Sequence, residues 1–468
     1  MQAALAKFNY NSMNLEPSIF KAYDIRAIYP SQVDEEGAYA IGRAFATLMT
    51  REIPDRTLNI AVGGDMRLST PSLKEQVIKG LRDSGVNVVD VGLISTPTYY
   101  FAVGFFKLDG GVQVSASHNP AEYNGFKMVR ERGIAVGGES GIYEMRRMIL
   151  ENDLAPLSET QGTLEVKESV EKITIPEFLK FAGNPEIKPF KIVIDTANAM
   201  GIPDYGELFN HIPGEFIKMN FELDGTFPVH EADPLKPENT EELRKRVLSE
   251  NANIGVASDG DSDRIFIIDE KGETVPSPIL YTIIAHIEAE ENSADPLAYE
   301  IRLGNLIPEE FPNTQLVETP VGHSIIKSYM VKHNAVFGGE ISGHYFFRLP
   351  WGTYEAPTLL LIKLLAWLSK QDRPLSEIVA GYKRYVSSGE VNTKVSSREE
   401  VDAKVEEIKE KYSDGKQVTI DGVKVSYPDY WFSVRASNTE PLIRLIVEAK
   451  DPSLMEDKRD EILAIIRS

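Results

Sequence analysis

A short acidic segment has the clearest chemical potential in this sequence. SDGDSDR, residues 258–264, places Asp259, Asp261 and Asp263 at alternate positions. In an extended loop, alternate side chains share a face, and three carboxylates at that spacing repel one another unless a cation lies between them. Because hard oxygen ligands suit Mg²⁺ and Ca²⁺, the spacing predicts a site for one divalent metal ion.

Two other interpretations of the acidic segment fit the sequence less well. A calcium-binding EF-hand loop starting at Asp259 would have Glu270 at position 12, but its position 6 is Arg264, where glycine is needed. The following IFII (265–268) is also typical of a strand rather than a helix. A merely solvated turn gives no reason for alternating aspartates between two apolar strands. We therefore predict Mg²⁺, with open positions for water and a phosphate.

A second polar segment, VQVSASHNPAEYNGFK at 112–127, begins as a strand and continues with Ser117 and His118. As a helix N-cap, Ser117 would explain one residue but not the polar run around it. A serine needs activation to act as a nucleophile, and no G-x-S-x-G motif or histidine at a diagnostic spacing is present. We expect Ser117 to lie at a strand-to-helix turn, where a phosphorylated serine would use the metal.

The segment RASNTEP at 435–441 combines groups that suit a phosphate dianion. A guanidinium, two hydroxyls, an amide and loop N–H groups together form an anion cradle. An ordinary polar turn between two strands explains the segment equally well when it is taken alone. The side chains concerned are those of Arg435, Ser437, Asn438 and Thr439.

The segment GGEISGH at 338–344 places Glu340 and Ser342 on one face. A carboxylate beside a hydroxyl can bind two vicinal sugar hydroxyls, although a glycine-rich turn is an equally good interpretation of this segment alone. TPVGHSIIK places His323 at a predicted helix start. A single histidine is more often structural than catalytic, so it needs support from elsewhere.

These loops follow strands in a repeated pattern. LNIAVGGDMR predicts a buried strand at 58–62, and TPSLKEQVIKGLRDSG predicts a helix with Thr70 as a possible N-cap and Gly85 as its stop. VNVVDVG is the next predicted strand, and a strand followed by a loop returns three more times, near 190, 253 and 334. This alternation predicts three similar α/β domains with mixed, mainly parallel sheets.

After about residue 384 the pattern changes to that of a small α+β domain. A charged amphipathic helix is followed by a hairpin with an Asp421–Gly422 turn, by a strand, loop and strand around RASNTEP, and by a final helix. The predicted domains are residues 1–163, 164–271, 272–384 and 385–468.

The composition of the 468 residues excludes several classes of protein. A net charge of -21 repels nucleic acid backbones and anionic membranes, so neither is expected as a partner. The absence of cysteine excludes disulfides, thiolate metal sites and a cysteine nucleophile, and fits a cytoplasmic location. The first 20 residues predict no signal peptide. The apolar stretch from 356 is too short to span a bilayer and contains Lys363, so it predicts a buried helix.

Taken together and in order, SASHNPAEYNGFK, SDGDSDR, GGEISGH and RASNTEP resemble the four signature loops of the α-D-phosphohexomutase family. The resemblance extends from IFKAYDIR at 19 to the C-terminal domain and includes LDGTFPVHEADPLKPEN at 223–239. It implies four domains around a central cleft, with one loop from each. It also implies an intramolecular phosphotransferase, and we expect either a monomer or a homodimer.

The resemblance implies a role for each matching residue. It implies one Mg²⁺ held by the three aspartates and by the phosphate of a phosphoserine at Ser117. Roles near the reacting phosphate fall to Arg26, His118, Lys127, Arg264 and His323, with Lys127 and His323 as candidates for proton transfer. The implied substrate contacts are Tyr23, Arg302, Glu340, Ser342, His344, Arg435, Ser437, Asn438 and Thr439.

The implied reaction interconverts hexose 1-phosphate and hexose 6-phosphate through a bound 1,6-bisphosphate, which turns around between two transfers. Because the unphosphorylated enzyme is inactive if that intermediate escapes, a hexose 1,6-bisphosphate should act as an activator. The GEISGH motif is similar to that of members acting on mannose and glucose phosphates. Members acting on glucosamine phosphate, the alternative, usually have glutamine within that motif and glycine in place of Ser262.

Three segments depart from the family pattern, namely YDIRA with Ala27, YEIRLGN at 299–305 and WGTYEAP at 351–357. The last two concern the surroundings of the sugar and the contact by Arg302, whereas Ser117 and the three aspartates match the family pattern. A phosphatase that passes the phosphate to water, and a protein that binds sugar phosphate without turnover, are the remaining hypotheses.

Overall fold

The computed structural model describes residues 13–437 and 442–468. The chain divides into two compact units. The first unit comprises the described residues up to Thr274 together with His344–Leu375, and the second comprises Val275–Gly343 together with Ser376–Ser468. Among the described residues, no helix is both long and apolar enough to cross a membrane.

The first unit begins with a six-stranded mixed sheet. Its strands are β1 (Ile25–Ile28), β2 (Asn59–Gly64), β3 (Asn87–Leu93), β4 (Gly110–Val114), β5 (Tyr123–Arg130) and β6 (Leu164–Val166). They lie in the order β1-β5-β4-β2-β3-β6. The β4-β2-β3-β6 part is parallel, whereas β5 is antiparallel to both β4 and β1.

Four helices accompany this sheet, α1 (Glu35–Glu52), α2 (Thr70–Asp83), α3 (Thr96–Phe105) and α4 (Tyr143–Leu150). Helices α1 and α2 pack closely because glycines stand at their crossing. A Cβ on Gly42 would lie 2.6 Å from the carbonyl oxygen of Val77. Thr70 is the first residue of α2 rather than its N-cap, and its hydroxyl donates to Asp65 instead. Gly85, with φ of 81°, follows the helix end as predicted.

A second sheet in the first unit carries the acidic segment. Its elements are α5 (Glu171–Phe181), β7 (Phe190–Asp195), α6 (Gly201–His211), β8 (Gly214–Met219), α7 (Pro237–Glu250), β9 (Ile254–Ser258) and β10 (Ile265–Asp269). Strands β7, β8 and β9 are parallel, and β10 returns antiparallel to β9. The core packs α7 on the sheet through Leu243 and Val247. Because β10 is a strand, the segment is not an EF-hand loop.

The second unit begins with three parallel strands and three helices. These are α8 (Ser277–Glu291), β11 (Leu297–Glu300), α9 (Leu306–Glu310), β12 (Leu316–Thr319), α10 (His323–His333) and β13 (Phe337–Gly339). Strand β11 pairs in parallel with β12 on one side and with β13 on the other.

The chain then contributes a hairpin and a buried helix to the first unit. These are β14 (Tyr345–Leu349), β15 (Gly352–Glu355) and α11 (Pro357–Leu368). Helix α11 is buried on nearly all sides, as the apolar stretch predicted. Lys363 is accommodated because its ammonium lies over the ring of Phe181.

Helix α12 (Leu375–Tyr382) precedes the predicted α+β domain. The elements of that domain are β16 (Val386–Ser387), β17 (Val391–Lys394), α13 (Arg398–Lys411), β18 (Lys416–Val418), β19 (Val423–Ser426), β20 (Tyr430–Ala436), β21 (Leu442–Ala449) and α14 (Pro452–Ile466). The sheet is antiparallel throughout, and Gly422 adopts φ of 63° at the predicted hairpin turn. The predicted fold class is confirmed, whereas the domain boundaries stay predictions.

Candidate active site

The Ser117 loop joins two antiparallel strands, β4 and β5, so the prediction of a strand-to-helix turn is wrong. The polar run resembles a helix cap, but Tyr123–Arg130 forms a strand beside β4. Ser117 is buried and adopts φ of 50°, a left-handed conformation that is uncommon for a residue other than glycine. Its N–H donates to Ser115 Oγ at 3.0 Å.

Arg67 holds this loop in place, and sequence reasoning did not identify it. Its guanidinium is fully buried, forms an ion pair with Asp65 at 3.2 Å, and donates to the Ser117 carbonyl oxygen at 2.8 Å. It also donates to the carbonyl oxygens of Asn119, Pro120 and Tyr123. The available signal was GGDMR, which places two charged residues directly after a buried strand.

Arg26 supports the same loop from β1. Its Nε donates to Asp24 at 2.8 Å, and its Nη1 donates to the carbonyl oxygen of Ala116 and to the side-chain oxygen of Asn119. The strand opposite offers Gly125, where an added Cβ would lie 2.3 Å from the carbonyl oxygen of Ile25. The glycine therefore permits the close strand contact that brings Arg26 to the loop.

The acidic loop between β9 and β10 meets the serine loop directly. Ser117 Oγ donates to Asp259 Oδ2 at 3.0 Å. Asp259 Oδ1 accepts the N–H groups of Asp263 and Arg264, which shapes the loop. A Cβ on Gly260 would lie only 2.2 Å from the Ser117 carbonyl oxygen, so this contact requires glycine.

The three aspartates converge as predicted. Ligand oxygens of Asp259, Asp261 and Asp263 lie within 4.8 Å of one another, and all three residues are buried. Burial and the neighbouring carboxylates raise the pKa of Asp259 well above its usual value. Asp261 Oδ1 has no hydrogen-bond partner among the described residues. Clustered anionic oxygens with an unused ligand atom fit a hard divalent cation.

Lys127 supplies positive charge to this cluster from β5. Its Nζ lies 2.5 Å from Asp261 Oδ2 and 2.7 Å from Asp263 Oδ2. Burial alone would lower the pKa of Lys127, but the two carboxylates outweigh burial and raise it. Lys127 is therefore an ammonium ion here. Thr96, which the sequence did not single out, donates to Asp261 at 2.6 Å from the start of α3.

Two histidines flank the cluster. His118 Nδ1 lies 3.2 Å from Ser117 Oγ, and the charge of Arg264 together with burial holds the pKa of His118 well below its usual value. His344 Nε2 lies 3.1 Å from Asp263 Oδ1 and 3.3 Å from Arg264 Nε. The structure thus brings His344, predicted as a substrate contact, to the acidic loop at 258–264, which we also call the metal loop.

A further carboxylate joins this region of the first unit. Glu355 of β15 is buried and can share a cation with Asp263 and His344. No motif in the sequence pointed to Glu355. Tyr23 lies half-buried in the bend before β1.

In the second unit, the sugar-binding candidates lie side by side. Glu340 Oε2 accepts a hydrogen bond from Ser342 Oγ at 3.0 Å, and Glu340 Oε1 accepts the N–H of Gly322 at 2.9 Å. His323 follows Gly322 and begins α10 as predicted. Glu340 is therefore hydrogen-bonded both to Ser342 and to the backbone of Gly322, the residue before His323.

In the second unit, Arg302, predicted as a substrate contact, and Arg435, predicted to bind the substrate phosphate, both lie near Glu390. Arg302 forms an ion pair with Glu300 at 2.6 Å and another with Glu390 at 3.1 Å. Arg435 Nη2 lies 3.7 Å from Glu390. Ser437 ends the described part of this loop and accepts from Arg444 at 3.3 Å. The predicted contacts Asn438 and Thr439 lie outside the described residues.

Comparison with known proteins identifies the family. Residues 17–152, 170–272 and 279–385 match the phosphoglucomutase/phosphomannomutase alpha/beta/alpha domains I, II and III, and residues 390–465 match the C-terminal domain. A phosphomannomutase of Vibrio cholerae is 34% identical over 472 residues, covering 97% of this chain and 99% of that protein. A phosphoglucomutase of Neisseria meningitidis is 33% identical, covering 97% and 98%.

A solved structure agrees. A phosphoglucomutase/phosphomannomutase family protein from Burkholderia thailandensis matches with a TM-score of 0.87 and 29% identity, covering 97% of this chain and 98% of that chain. The buried acidic cluster accords with the magnesium dependence that the family implies. The chain belongs to the phosphoglucomutase/phosphomannomutase family and is a phosphohexomutase, an enzyme that transfers phosphate within a sugar phosphate.

Proposed function

We propose that the enzyme interconverts the 1-phosphates and 6-phosphates of mannose and glucose through a phosphoserine at Ser117 and a bound 1,6-bisphosphate. The observation that carries this proposal is the hydrogen bond of 3.0 Å between Ser117 Oγ and Asp259. It puts a buried hydroxyl, in a strained turn, beside a cluster of carboxylates. A serine that served only to stabilise a loop would not need that cluster.

Asp259, Asp261 and Asp263, with a phosphate on Ser117, would hold the Mg²⁺. When bound, the ion would neutralise charge on the phosphoryl group. Lys127 and Arg26 add fixed positive charge, since Lys127 contacts two of the aspartates and Arg26 supports the serine loop. Phosphoryl transfer depends mainly on positioning and charge stabilisation, which these residues supply.

The reaction has two balanced transfers. First, the free hydroxyl oxygen of the sugar monophosphate bonds to phosphorus while the bond from phosphorus to Ser117 Oγ breaks. The hydroxyl proton passes to a base, and the serine oxygen takes up a proton. After the bisphosphate has turned, Ser117 Oγ gives up its proton and bonds to the other phosphorus while the bond from that phosphorus to the sugar oxygen breaks, and the released sugar oxygen takes up a proton.

Proton transfer requires groups that change charge easily. The carboxylates hold Lys127 as an ammonium ion, so we assign charge neutralisation to Lys127 and leave the sugar proton to His323, the other candidate. His118, held neutral beside Ser117 Oγ, suits proton exchange with the serine oxygen. Arg264 orients His344 and the metal loop.

We assign the remaining predicted residues to the substrate. Glu340 and Ser342 bind vicinal sugar hydroxyls, and Tyr23 and His344 are further substrate contacts. The phosphate that is not being transferred binds to Arg302, Arg435, Ser437, Asn438 and Thr439. Mannose and glucose are supported by relatives that are a phosphomannomutase and a phosphoglucomutase. A hexose 1,6-bisphosphate is the proposed activator.

A coupled assay tests the proposal. Wild type, Ser117→Ala and the exposed control Ser249→Ala receive Mg²⁺, a trace of glucose 1,6-bisphosphate, and the 1-phosphate of mannose, glucose or glucosamine. We expect conversion to 6-phosphates by wild type and control only, with glucosamine the slowest. Turnover by Ser117→Ala would refute the phosphoserine. A preference for glucosamine 1-phosphate would refute the sugar assignment, and free inorganic phosphate without isomerisation would indicate a phosphatase.

A further inference from the structure

One carboxylate in the second unit contacts three arginines. Glu390 Oε1 lies 2.5 Å from Arg444 Nη1, and Glu390 Oε2 lies 3.1 Å from Arg302 Nη1 and 3.7 Å from Arg435 Nη2. The glutamate is partly buried, with 23% of its side chain exposed. Neither Glu390 nor Arg444 belongs to any motif identified in the sequence.

The strand register explains why such a carboxylate is needed. Arg435 on β20 and Arg444 on β21 stand directly opposite each other. Like charges in opposing positions of an antiparallel pair repel, and Arg302 adds a third positive charge. Burial and, after it, the charge of Arg302 lower the pKa of Arg435. Strand β17 pairs with β21 so that Asn392 opposes Arg444, which brings Glu390 beside the arginines.

The arginine cluster retains unused hydrogen-bonding capacity. The buried Nε atoms of Arg435 and Arg444 have no hydrogen-bond partner among the described residues. Arg444 also donates to Ser437 Oγ at 3.3 Å, which links the cluster to the RASNTEP segment that begins at Arg435. Within the described part of the chain, the three guanidiniums form their ion pairs with two carboxylates, those of Glu300 and Glu390. Three positive charges against two negative ones, with the two Nε donors, suit a site for a phosphate dianion.

We propose that Glu390 is a positioning residue: its carboxylate holds Arg302, Arg435 and Arg444 together as the subsite for the phosphate that is not being transferred. This inference rests on the proposed function, which assigns that phosphate to the loop beginning at Arg435. Glu390 acts through the arginines and does not touch the reacting atoms. Its loss should weaken substrate binding and leave the chemical step at Ser117 nearly intact.

The test separates KM from kcat. In Glu390→Gln the arginines lose their shared counter-ion, so KM for glucose 1-phosphate should rise about tenfold, as for the loss of one charge-assisted contact. The inhibition constant of inorganic phosphate should rise in parallel, while kcat stays within about twofold. Glu390→Asp should give an intermediate KM because the charge is kept. The exposed control Glu410→Gln should behave as wild type.

Two outcomes would overturn the inference. If Glu390→Gln, or Glu390→Asp should the first variant not fold, keeps the wild-type KM and inhibition constant, Glu390 does not position the arginines. A fall in kcat with no change in KM would overturn it equally. Arg435→Ala separates a failure of the Glu390 role from a failure of the phosphate subsite. If KM rises in Arg435→Ala but not in Glu390→Gln, only the role of Glu390 fails. If KM rises in neither variant, the assigned phosphate subsite fails too.

Discussion

The carbonyl oxygen of Ser117 lies so close to Gly260 that a Cβ on the glycine would stand 2.2 Å from it. This contact joins the serine loop to the metal loop, two segments that are far apart in sequence. Because Arg67 donates to the same carbonyl oxygen, the position of the serine backbone is fixed from two sides. Both contacts can be tested separately.

Gly260→Ala should force the two loops apart. The added methyl group cannot be accommodated against a backbone atom, so Ser117 Oγ would move away from Asp259. We expect kcat to fall at least tenfold, since small displacements of reacting groups are costly, with a smaller change in KM. Steady-state kinetics measures this, and Gly206→Ala, at an open position on α6, is the control. Wild-type kcat in Gly260→Ala would show that the loop contact does not position the serine.

Arg67→Lys should weaken the serine loop while keeping the charge. A lysine cannot reproduce the forked contacts with the loop carbonyl oxygens, and an ammonium at this fully buried site would leave several acceptors unpaired. We predict a loss of kcat of roughly a hundredfold and a lower melting temperature. Kinetics and thermal unfolding together check this, and a variant with unchanged kcat would exclude Arg67 as the clamp.

Lys127→Met should make folding depend on metal. Without the ammonium, Asp261 and Asp263 lose their paired charge, and breaking a buried ion pair costs roughly 3 to 5 kcal/mol. The melting temperature of the variant should therefore fall sharply in EDTA and recover in part when Mg²⁺ is added, whereas wild type should respond less. Equal responses of the two proteins to Mg²⁺ would argue against a shared site for the lysine and the ion.

A buried carboxylate away from the metal predicts a pH dependence of stability. Asp204 of α6 accepts hydrogen bonds from Ser95 and Thr98 at 2.5 Å and 2.9 Å, and burial raises its pKa from 3.8 to about 7. Between about pH 4 and pH 7, the folded state therefore keeps a proton that the unfolded state has already released. Stability from this group is greatest at low pH and is lost as the pH rises through 7.

Between pH 5 and pH 8, the wild type should lose roughly 3 kcal/mol of unfolding free energy relative to Asp204→Asn. Asparagine keeps the size and some hydrogen bonds but does not titrate. Denaturant unfolding of both proteins at the two pH values measures the difference. A gap between the two proteins that does not change with pH would mean that Asp204 is ionised throughout.

The sequence predicted those parts of the site that depend on local patterns. Alternate spacing predicted that the aspartates converge, and a carboxylate next to a hydroxyl predicted that Glu340 and Ser342 lie side by side, whereas the roles of these residues stay predictions. Residues whose role depends on contacts with segments distant in sequence gave a weaker signal or none, because tertiary packing decides those contacts. Arg67, Glu390 and Arg444 are of this kind.

The prediction of the fold shows the same difference between local patterns and long-range contacts. Strand and helix alternation gave the α/β class and the C-terminal α+β domain, since hydrophobic periodicity is a local property. The antiparallel return of β5 was missed because the polar residues after Ser117 resemble a helix cap. Only the pairing of Tyr123–Arg130 with β4 distinguishes the two.

The central claim is that Ser117 carries the phosphoryl group. The most direct measurement is to incubate the enzyme and Mg²⁺ with glucose 1,6-bisphosphate labelled with ³²P, map the labelled peptide, and then add unlabelled glucose 1-phosphate. We predict label on Ser117 alone, lost to the sugar within one turnover, and no label in Ser117→Ala. Label on another residue, or turnover by an enzyme that is never labelled, would contradict the account.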